Sequence, residues 1–200
     1  MIKNIIFDLG NVLLEFQPEK YLKDKGLDDD NIEFIKKEIF LSEEWIHLDK
    51  GTLTREEANA IITKRNPDKS ELLSVHMNDF CNMFKPIECN VEALRKLKEK
   101  KYNIFYLSNF HEEAFLTVYN QYEFFKCFDG GVVSAHVKML KPEHNIYQEL
   151  IKETNIIPEE SLFIDDTEVN TDAAKELGFD VIHLPDPIKL SEKLKQKNLI

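Results

Sequence analysis

Cysteine is scarce in this 200-residue sequence, and its placement argues against a structural role. The three cysteines are Cys81, Cys89 and Cys127, an odd number without a CxxC pair. Disulfide frameworks and cysteine-based metal sites usually show even numbers and close spacings. We therefore expect the protein to work in a reducing compartment.

Long apolar runs are also missing. The apolar stretch between Met1 and Asp8 is too short for a signal peptide or a membrane span, and it ends in an acidic residue. The six histidines are scattered and contain no HExxH pair, so the sequence does not predict a zinc site. A cytoplasmic protein without a membrane partner is the expectation.

Positive charge is in short supply. The chain has 26 Lys and Arg residues against 37 Asp and Glu residues, which gives a net charge of -11 and a pI near 5.1. Because nucleic-acid binding needs a basic face, this balance predicts no nucleic-acid partner. The expected partner is a small molecule, which can still be anionic because a locally positive pocket can lie in an acidic protein.

What the sequence does contain is a series of short apolar runs rich in β-branched and aromatic residues. They cover residues 3–8, 103–108, 131–134, 161–165 and 180–184. Helical periodicity fills two of the intervals, at residues 91–101 and 143–154. Strands that alternate with helices predict an α/β fold, a Rossmann-like, doubly wound parallel sheet.

Residues 15–86 interrupt this alternation, since they show amphipathic segments but no convincing strand. We predict a small helical subdomain inserted into a core formed by residues 1–14 and 87–200. Residues 45–51 are predicted to lie in a turn before a helix, whose start at Thr54 and Glu57 has the pattern of a capping box. For this turn, a simple helix connection and a contribution to substrate specificity both stay open. We expect Phe80 and Phe84 to pack the subdomain's own core.

Polar residues follow the predicted strands, where ligands of open parallel sheets bind. They are Asp8, Ser108, Asn109, Lys141, Asp165 and Asp166. Each residue alone would be explained as a turn former, a helix cap or a solvated side chain. Together they predict a phosphate site with a hard cation such as Mg²⁺, because two adjacent acids after an apolar strand would repel each other without one.

The strings that contain these residues resemble the four motifs of the haloacid dehalogenase-like hydrolase superfamily, in the same order. They are FDLGNV at residues 7–12, LSN at 107–109, KPE at 141–143 and FIDD at 163–166. The helical insertion resembles the small cap of the superfamily's first subclass. The likeness is greatest to the sugar-phosphate phosphatase branch with FDLGNV, which includes bacterial glucose-1-phosphate phosphatase.

The resemblance implies a metal site built from oxygen ligands. Mg²⁺ would be held by Asp8, by the backbone carbonyl of Gly10 and by Asp166. Asp165 would orient Asp166 or bind the metal through water. The implied cofactor is therefore Mg²⁺.

The resemblance also implies a chemical step. Asp8 would attack phosphorus in line and form an aspartyl-phosphate, which water then hydrolyses. Lys141 would be the fixed cation beside the transferring group, and Ser108 and the backbone of Asn109 would hold the non-bridging oxygens. The predicted activity is that of a phosphatase acting on a small phosphorylated metabolite, with a sugar phosphate as the leading example.

One position departs from the pattern of the superfamily. Most of its phosphatases have a second Asp two residues after the nucleophile, which protonates the leaving oxygen, and this sequence has Gly10 there. Such general acid catalysis contributes roughly 10²- to 10⁴-fold. Three explanations stay open: a good leaving group such as an anomeric or acyl phosphate, slow turnover, or an acid from the cap, for which Glu15, His47 and Asp49 are the candidates.

Two other functions fit parts of the same pattern. A metal-independent 2-haloacid dehalogenase also uses an Asp nucleophile without the second Asp, but the pair Asp165 and Asp166 would serve no purpose beside its halide-releasing carboxylate site. A non-catalytic phosphate- or partner-binding protein on a degenerate scaffold would explain Gly10. That protein would have no need for Asp8 and Lys141.

Overall fold

The computed structural model describes residues 1–200 and contains one central sheet of five parallel strands. The strand order is β3-β2-β1-β4-β5, so β1 lies at the centre. The strands are β1 (Asn4–Phe7), β2 (Asn103–Ser108), β3 (Gly130–Val133), β4 (Ser161–Asp165) and β5 (Asp180–His183). Each lies within one residue of a predicted run, and the predicted α/β class is confirmed.

Five α-helices and no strand lie between β1 and the first helix that packs on the sheet. They are α1 (Pro18–Asp24), α2 (Asp29–Ile35), α3 (Glu43–Asp49), α4 (Arg55–Arg65) and α5 (Ser70–Asp79). A π-helical turn, Lys36–Phe40, extends α2, and a 3₁₀ turn, Phe80–Met83, follows α5. We call residues 18–83 the helical insert.

Helix α3 was missed by the sequence prediction, which assigned residues 45–51 to a turn. Ser42 caps this helix, because its Oγ accepts a hydrogen bond of 3.2 Å from the backbone N–H of Trp45. With only seven residues, α3 is too short to show a helical period. The predicted capping box of α4 is present. The side chain of Thr54 accepts a hydrogen bond from the backbone N–H of Glu57, and the side chain of Glu57 accepts one from the backbone N–H of Thr54.

The remaining helices cover both faces of the sheet. They are α6 (Glu88–Glu99), α7 (Glu112–Gln121), α8 (Ser134–Val137), α9 (His144–Thr154), α10 (Glu168–Glu176) and α11 (Leu190–Gln196). Ile5 and Phe7 of β1 pack in one apolar cluster with residues of α6, α7 and α11, while Ile6 packs in another with residues of α9 and α10. Both faces of the sheet are thus buried, which explains the nearly continuous apolar strands.

The two segments that connect the insert to the sheet run side by side. The backbone N–H of Glu15 donates to Lys85 O at 2.8 Å, and that of Ile87 donates to Leu13 O at 2.9 Å. Leu14 forms an antiparallel bridge with Pro86 between these bonds. The predicted boundaries of the insertion therefore fall on a pair of adjacent, hydrogen-bonded strand-like segments.

The end of α3 packs closely on α8. The hydroxyl of Ser134 donates to the backbone carbonyl of Asp49. Gly51 follows in a left-handed conformation, with φ at +68°, and a Cβ added there would lie 2.2 Å from Ala135 O. The turn after α3 therefore needs glycine both for its backbone conformation and for its contact with the sheet domain.

The structure also bears on the cysteines and on membrane-spanning helices. All three cysteines are free thiols. None of the helices combines the length and the apolar character that crossing a membrane would require.

We predict that Gly51→Ala destabilises the contact between the insert and α8. The control is Gly26→Ala, because Gly26 is also left-handed, with φ at +82°, but a Cβ there would contact nothing. Gly26→Ala should cost the left-handed strain alone, roughly 1–2 kcal/mol, and Gly51→Ala roughly 1–3 kcal/mol more for the overlap with Ala135. Urea unfolding measures both free energies, and equal losses would contradict the close contact.

Candidate active site

Three neighbouring strands end at the same edge of the sheet in polar side chains. Asp8 directly follows β1, Ser108 ends β2 and Asp165 ends β4. Because these strands are parallel and in register, the side chains meet beside one cavity of about 220 Å³. Of the predicted site residues, the cavity is lined by Asp8, Gly10, Asn109, Lys141 and Asp166, and Ser108 and Asp165 lie buried behind them.

Asp8 is a buried carboxylate whose two oxygens differ in their surroundings. Its Oδ1 accepts hydrogen bonds of 2.7 Å from Ser108 Oγ and from the backbone N–H of Leu9, and lies 3.0 Å from Lys141 Nζ. Its Oδ2 accepts no hydrogen bond from the protein. Burial raises the pKa of Asp8 to about 7, against the opposing effect of the Lys141 ammonium.

Lys141 connects two of the carboxylates. Its Nζ lies 2.6 Å from Asp165 Oδ2 as well as 3.0 Å from Asp8 Oδ1. Burial lowers the pKa of Lys141, but the carboxylates of Asp165 and Asp8 outweigh this effect and raise it above its ordinary value. The side chain therefore remains a fixed positive charge.

The loop that carries Lys141 is held by Asn109. The Oδ1 of Asn109 accepts from the backbone N–H of Lys141 at 2.8 Å, and its Nδ2 donates to Lys141 O at 3.0 Å. The side chain of Asn109 thus positions Lys141, and the phosphate contact predicted for this residue rests on its backbone. Asn109 does not begin a helix, because α7 starts only at Glu112.

Asp165 and Asp166 have different environments although they are adjacent. Asp165 is fully buried, and its oxygens accept from the backbone N–H of Thr167 at 2.8 Å, from Asn170 Nδ2 and from Lys141 Nζ. Asp166 is only partly buried and lines the cavity. Asp165 therefore anchors Lys141, while Asp166 faces the space where a ligand would bind.

Asn11 was not predicted from the sequence, yet it supports Asp166. Its Nδ2 donates to Asp166 Oδ2 at 3.0 Å, and its Oδ1 accepts from the backbone N–H of Phe16 at 3.1 Å. Asn11 is left-handed, with φ at +52°, a conformation that asparagine tolerates better than most residues. The Gly-Asn pair after Asp8 and Leu9 was the available signal for such a turn.

The donor set suits a divalent cation. One oxygen from each of Asp8, Asp165 and Asp166 lies within 4.8 Å of the others. Three carboxylates face one lysine, which leaves an excess of negative charge when all are ionised. Hard oxygen ligands with room for water and phosphate are what Mg²⁺ prefers, so these residues fit the predicted cofactor.

Four aromatic side chains line the same cavity as the carboxylates. Phe16 stacks on Phe84 with ring centroids 5.8 Å apart, and lies 6.0 Å from Trp45. Phe110 packs on Phe84 at 4.7 Å. We call these four residues the aromatic wall; the sequence prediction assigned Phe84 only to the core of the insert, whereas it also lines the cavity.

Only one of the three candidate proton donors, Glu15, His47 and Asp49, lies at the cavity. Asp49 lines it, together with His111, a residue that the sequence prediction did not single out. Glu15 lies 3.7 Å from Lys20 Nζ in an exposed ion pair. His47 is exposed, with its Nδ1 2.7 Å from Thr52 Oγ1.

The family model for haloacid dehalogenase-like hydrolases matches residues 34–184 of the chain. A sesquiterpene phosphatase from Aspergillus oryzae is 24% identical over 198 residues, which cover 97% of this chain and 95% of the relative. A D-ribitol-5-phosphate phosphatase from Bacteroides thetaiotaomicron is 28% identical over 207 residues, which cover 90% of each chain.

Solved structures show the same likeness. A haloacid dehalogenase family enzyme from Bacteroides thetaiotaomicron, in complex with magnesium and inorganic phosphate, superposes with a TM-score of 0.71 at 26% identity, covering 91% of this chain and 93% of that one. An L-2-haloacid dehalogenase from Xanthobacter autotrophicus reaches 0.69 at 17% identity, covering 100% and 85%, which shows a shared fold alone. The chain therefore belongs to the haloacid dehalogenase-like hydrolase family, as its four motifs predicted.

Proposed function

We propose that this protein is a Mg²⁺-dependent phosphatase that hydrolyses a small phosphorylated metabolite through an aspartyl-phosphate on Asp8. The observation that carries the proposal is the state of Asp8. Its Oδ1 is held by Ser108, the Leu9 N–H and Lys141, while Oδ2 accepts no hydrogen bond from the protein. A nucleophile needs one oxygen fixed for orientation and the other free to attack.

The other residues of the site divide the remaining tasks. Asp8, Asp166 and the Gly10 carbonyl would hold Mg²⁺, with Asp165 in support. When bound, the cation supplies positive charge that offsets the repulsion between the phosphate and the attacking carboxylate. Lys141 carries a second positive charge next to Asp8, and the Ser108 hydroxyl and the backbone of Asn109 can orient the non-bridging oxygens.

The dehalogenase alternative fits this site less well. A metal-independent reaction gives no role to an oxygen cluster in which Asp8, Asp165 and Asp166 lie within 4.8 Å of one another. The structural likeness to a dehalogenase, at 17% identity, carries the fold only. Burial of Asp8 costs free energy and raises the pKa of its carboxyl to about 7. A protein that only binds phosphate or a partner would have no use for an acid buried at this cost.

We further propose that the helical insert acts as the cap that receives the organic part of the substrate. Phe16, Trp45 and Phe84 come from the insert or its connections and line the same cavity as Asp8. Aromatic faces pack against apolar C–H surfaces, whether of a sugar or of a hydrocarbon chain. The two named relatives act on a polyol phosphate and on a sesquiterpene phosphate, so both substrate classes belong in the test.

We predict that phosphate release requires Mg²⁺ and falls at least ~10³-fold in Asp8→Asn, because the amide cannot act as the nucleophile. The panel comprises glucose 1-phosphate, D-ribitol 5-phosphate, farnesyl phosphate, acetyl phosphate and p-nitrophenyl phosphate, each assayed with Mg²⁺ and with EDTA. Asp30→Asn is the matched control, because Asp30 is an exposed acid of α2 far from the motifs in sequence.

Two results would contradict this proposal. One is phosphate release that survives in Asp8→Asn, which would show that Asp8 is not the nucleophile. The other is halide release from 2-chloropropionate without metal, which would favour the dehalogenase.

A second prediction concerns stability. Because the pKa of Asp8 is raised from 3.8 to about 7 in the fold, the protonated carboxyl stabilises the metal-free protein at low pH. This contribution is lost as the pH rises through about 7. Mg²⁺ needs the carboxylate, so it should raise the Tm of the wild type more at about pH 8 than at about pH 5.

Thermal unfolding by circular dichroism, with and without Mg²⁺, measures these shifts. Asp8→Asn has no proton to lose at this position. Its metal-free Tm should therefore fall less between the two pH values than that of the wild type. An equal fall in both proteins would show that Asp8 does not carry the effect.

A further inference from the structure

His111 is a buried histidine without hydrogen-bond partners. It precedes α7, and neither of its ring nitrogens makes a hydrogen bond of acceptable geometry. The imidazole packs against the rings of Trp45 and Phe80, with centroid distances of 4.2 and 5.0 Å. Buried polar groups are nearly always paired in folded proteins, so an unpaired imidazole beside an active-site cavity calls for a reason.

The carboxylate of Asp49 lies beside this imidazole. Its Oδ1 lies 3.1 Å from His111 Nε2. The side chain of Asp49 is 21% exposed and that of His111 only 6%, and both residues line the cavity that contains Asp8. Both residues therefore border the cavity, and the side chain of Asp49 is the more exposed of the two.

Asp49 and His111 come from different parts of the fold. Asp49 is the last residue of α3 in the insert, whereas His111 follows β2. The hydroxyl of Ser134 donates to Asp49 O and accepts from the backbone N–H of Phe110 at 2.9 Å, so one side chain holds both partners. The pair is thus assembled by the contact between the insert and the sheet domain.

Because position 10 is glycine, the proton for the leaving oxygen has to come from another residue. A Cβ added to Gly10 would contact nothing within 4 Å, and the residue is not left-handed, so neither space nor backbone conformation explains the absence of a side chain. The other two candidates, Glu15 and His47, do not line the cavity. Asp49 is the acid that does.

We propose that Asp49 and His111 form a proton-transfer pair that replaces the missing acid; the proposal rests on the phosphatase function. In the first step, Asp8 Oδ2 forms a bond to phosphorus and the bond from phosphorus to the leaving oxygen breaks. The leaving oxygen keeps the bonding electrons and accepts the proton that Asp49 and His111 share, with Asp49 as the direct donor. In the second step, water attacks phosphorus, its proton returns to the pair and the carboxylate of Asp8 is released with inorganic phosphate.

The test separates substrates by their leaving group. In Asp49→Asn and His111→Asn, kcat/KM for the best alkyl phosphate of the panel should fall roughly 10²- to 10⁴-fold. For p-nitrophenyl phosphate, whose leaving group needs no proton, kcat/KM should stay within about tenfold of the wild type. The second step still needs a base, so p-nitrophenol should appear in a burst of about one equivalent per active site, followed by slow turnover.

A rescue experiment protects this test against simple misfolding. Gly10→Asp places a carboxylate where the structure has room for it. Added to Asp49→Asn, it should restore at least about tenfold of the lost kcat/KM for the alkyl phosphate. The matched control is His47→Asn, since His47 is an exposed histidine of α3, the helix that carries Asp49. Its replacement should leave kcat/KM for both substrates unchanged.

Several outcomes would overturn the pair while leaving the phosphatase intact. They are an equal loss for both substrates, no loss for either, no rescue by Gly10→Asp, and a wild type that hydrolyses activated phosphates only. If the wild type releases no phosphate from any substrate of the panel, the phosphatase itself fails. The two failures are therefore distinguishable with the same set of variants.

Discussion

The site depends on one buried cation, Lys141, which lies between two buried carboxylates. Its Nζ is 2.6 Å from Asp165 and 3.0 Å from Asp8, so it joins the ends of β1 and β4. Burying any of these charges alone would cost several kcal/mol, and removing one partner would leave the others uncompensated. With Asp166 added, three carboxylates face one ammonium, and the remaining negative charge suits a divalent cation.

The structure divides the work between two parts of the chain. The ends of the sheet strands carry the charged residues that would act on a phosphoryl group. The insert and its connections supply most of the aromatic wall and Asp49, which line the same cavity. The hydrogen bonds of Ser134 and the close approach of Gly51 to Ala135 hold the two parts together at the edge of this cavity.

Relatives with the same fold differ in what they act on. The named phosphatases act on a polyol phosphate and on a sesquiterpene phosphate, and a dehalogenase shares the fold as well. A parallel sheet only brings strand ends together; the chemistry follows from the side chains that stand there and the substrate from what faces them.

The sequence by itself determined the strands and the charged centre of the site. Apolar runs that end in Asp8, Ser108 and Asp165 predict both the strands and the polar residues at their ends, because neighbouring residues specify each strand. The parallel register of the strands then brings these ends together. The four motifs also led to the family. Prediction from the sequence therefore succeeded for the features that a few neighbouring residues specify.

Only the tertiary structure decided the surroundings of that centre. Helix α3 was too short to predict, and the second function of Phe84 in the cavity wall follows from its packing against Phe16 and Phe110. Asp49 lies at the cavity while His47, two residues away, is exposed, because α3 turns them to different sides. The pairing of Asp49 with His111 joins residues from separate segments, and such contacts are set by how the insert packs on the sheet domain rather than by any local pattern.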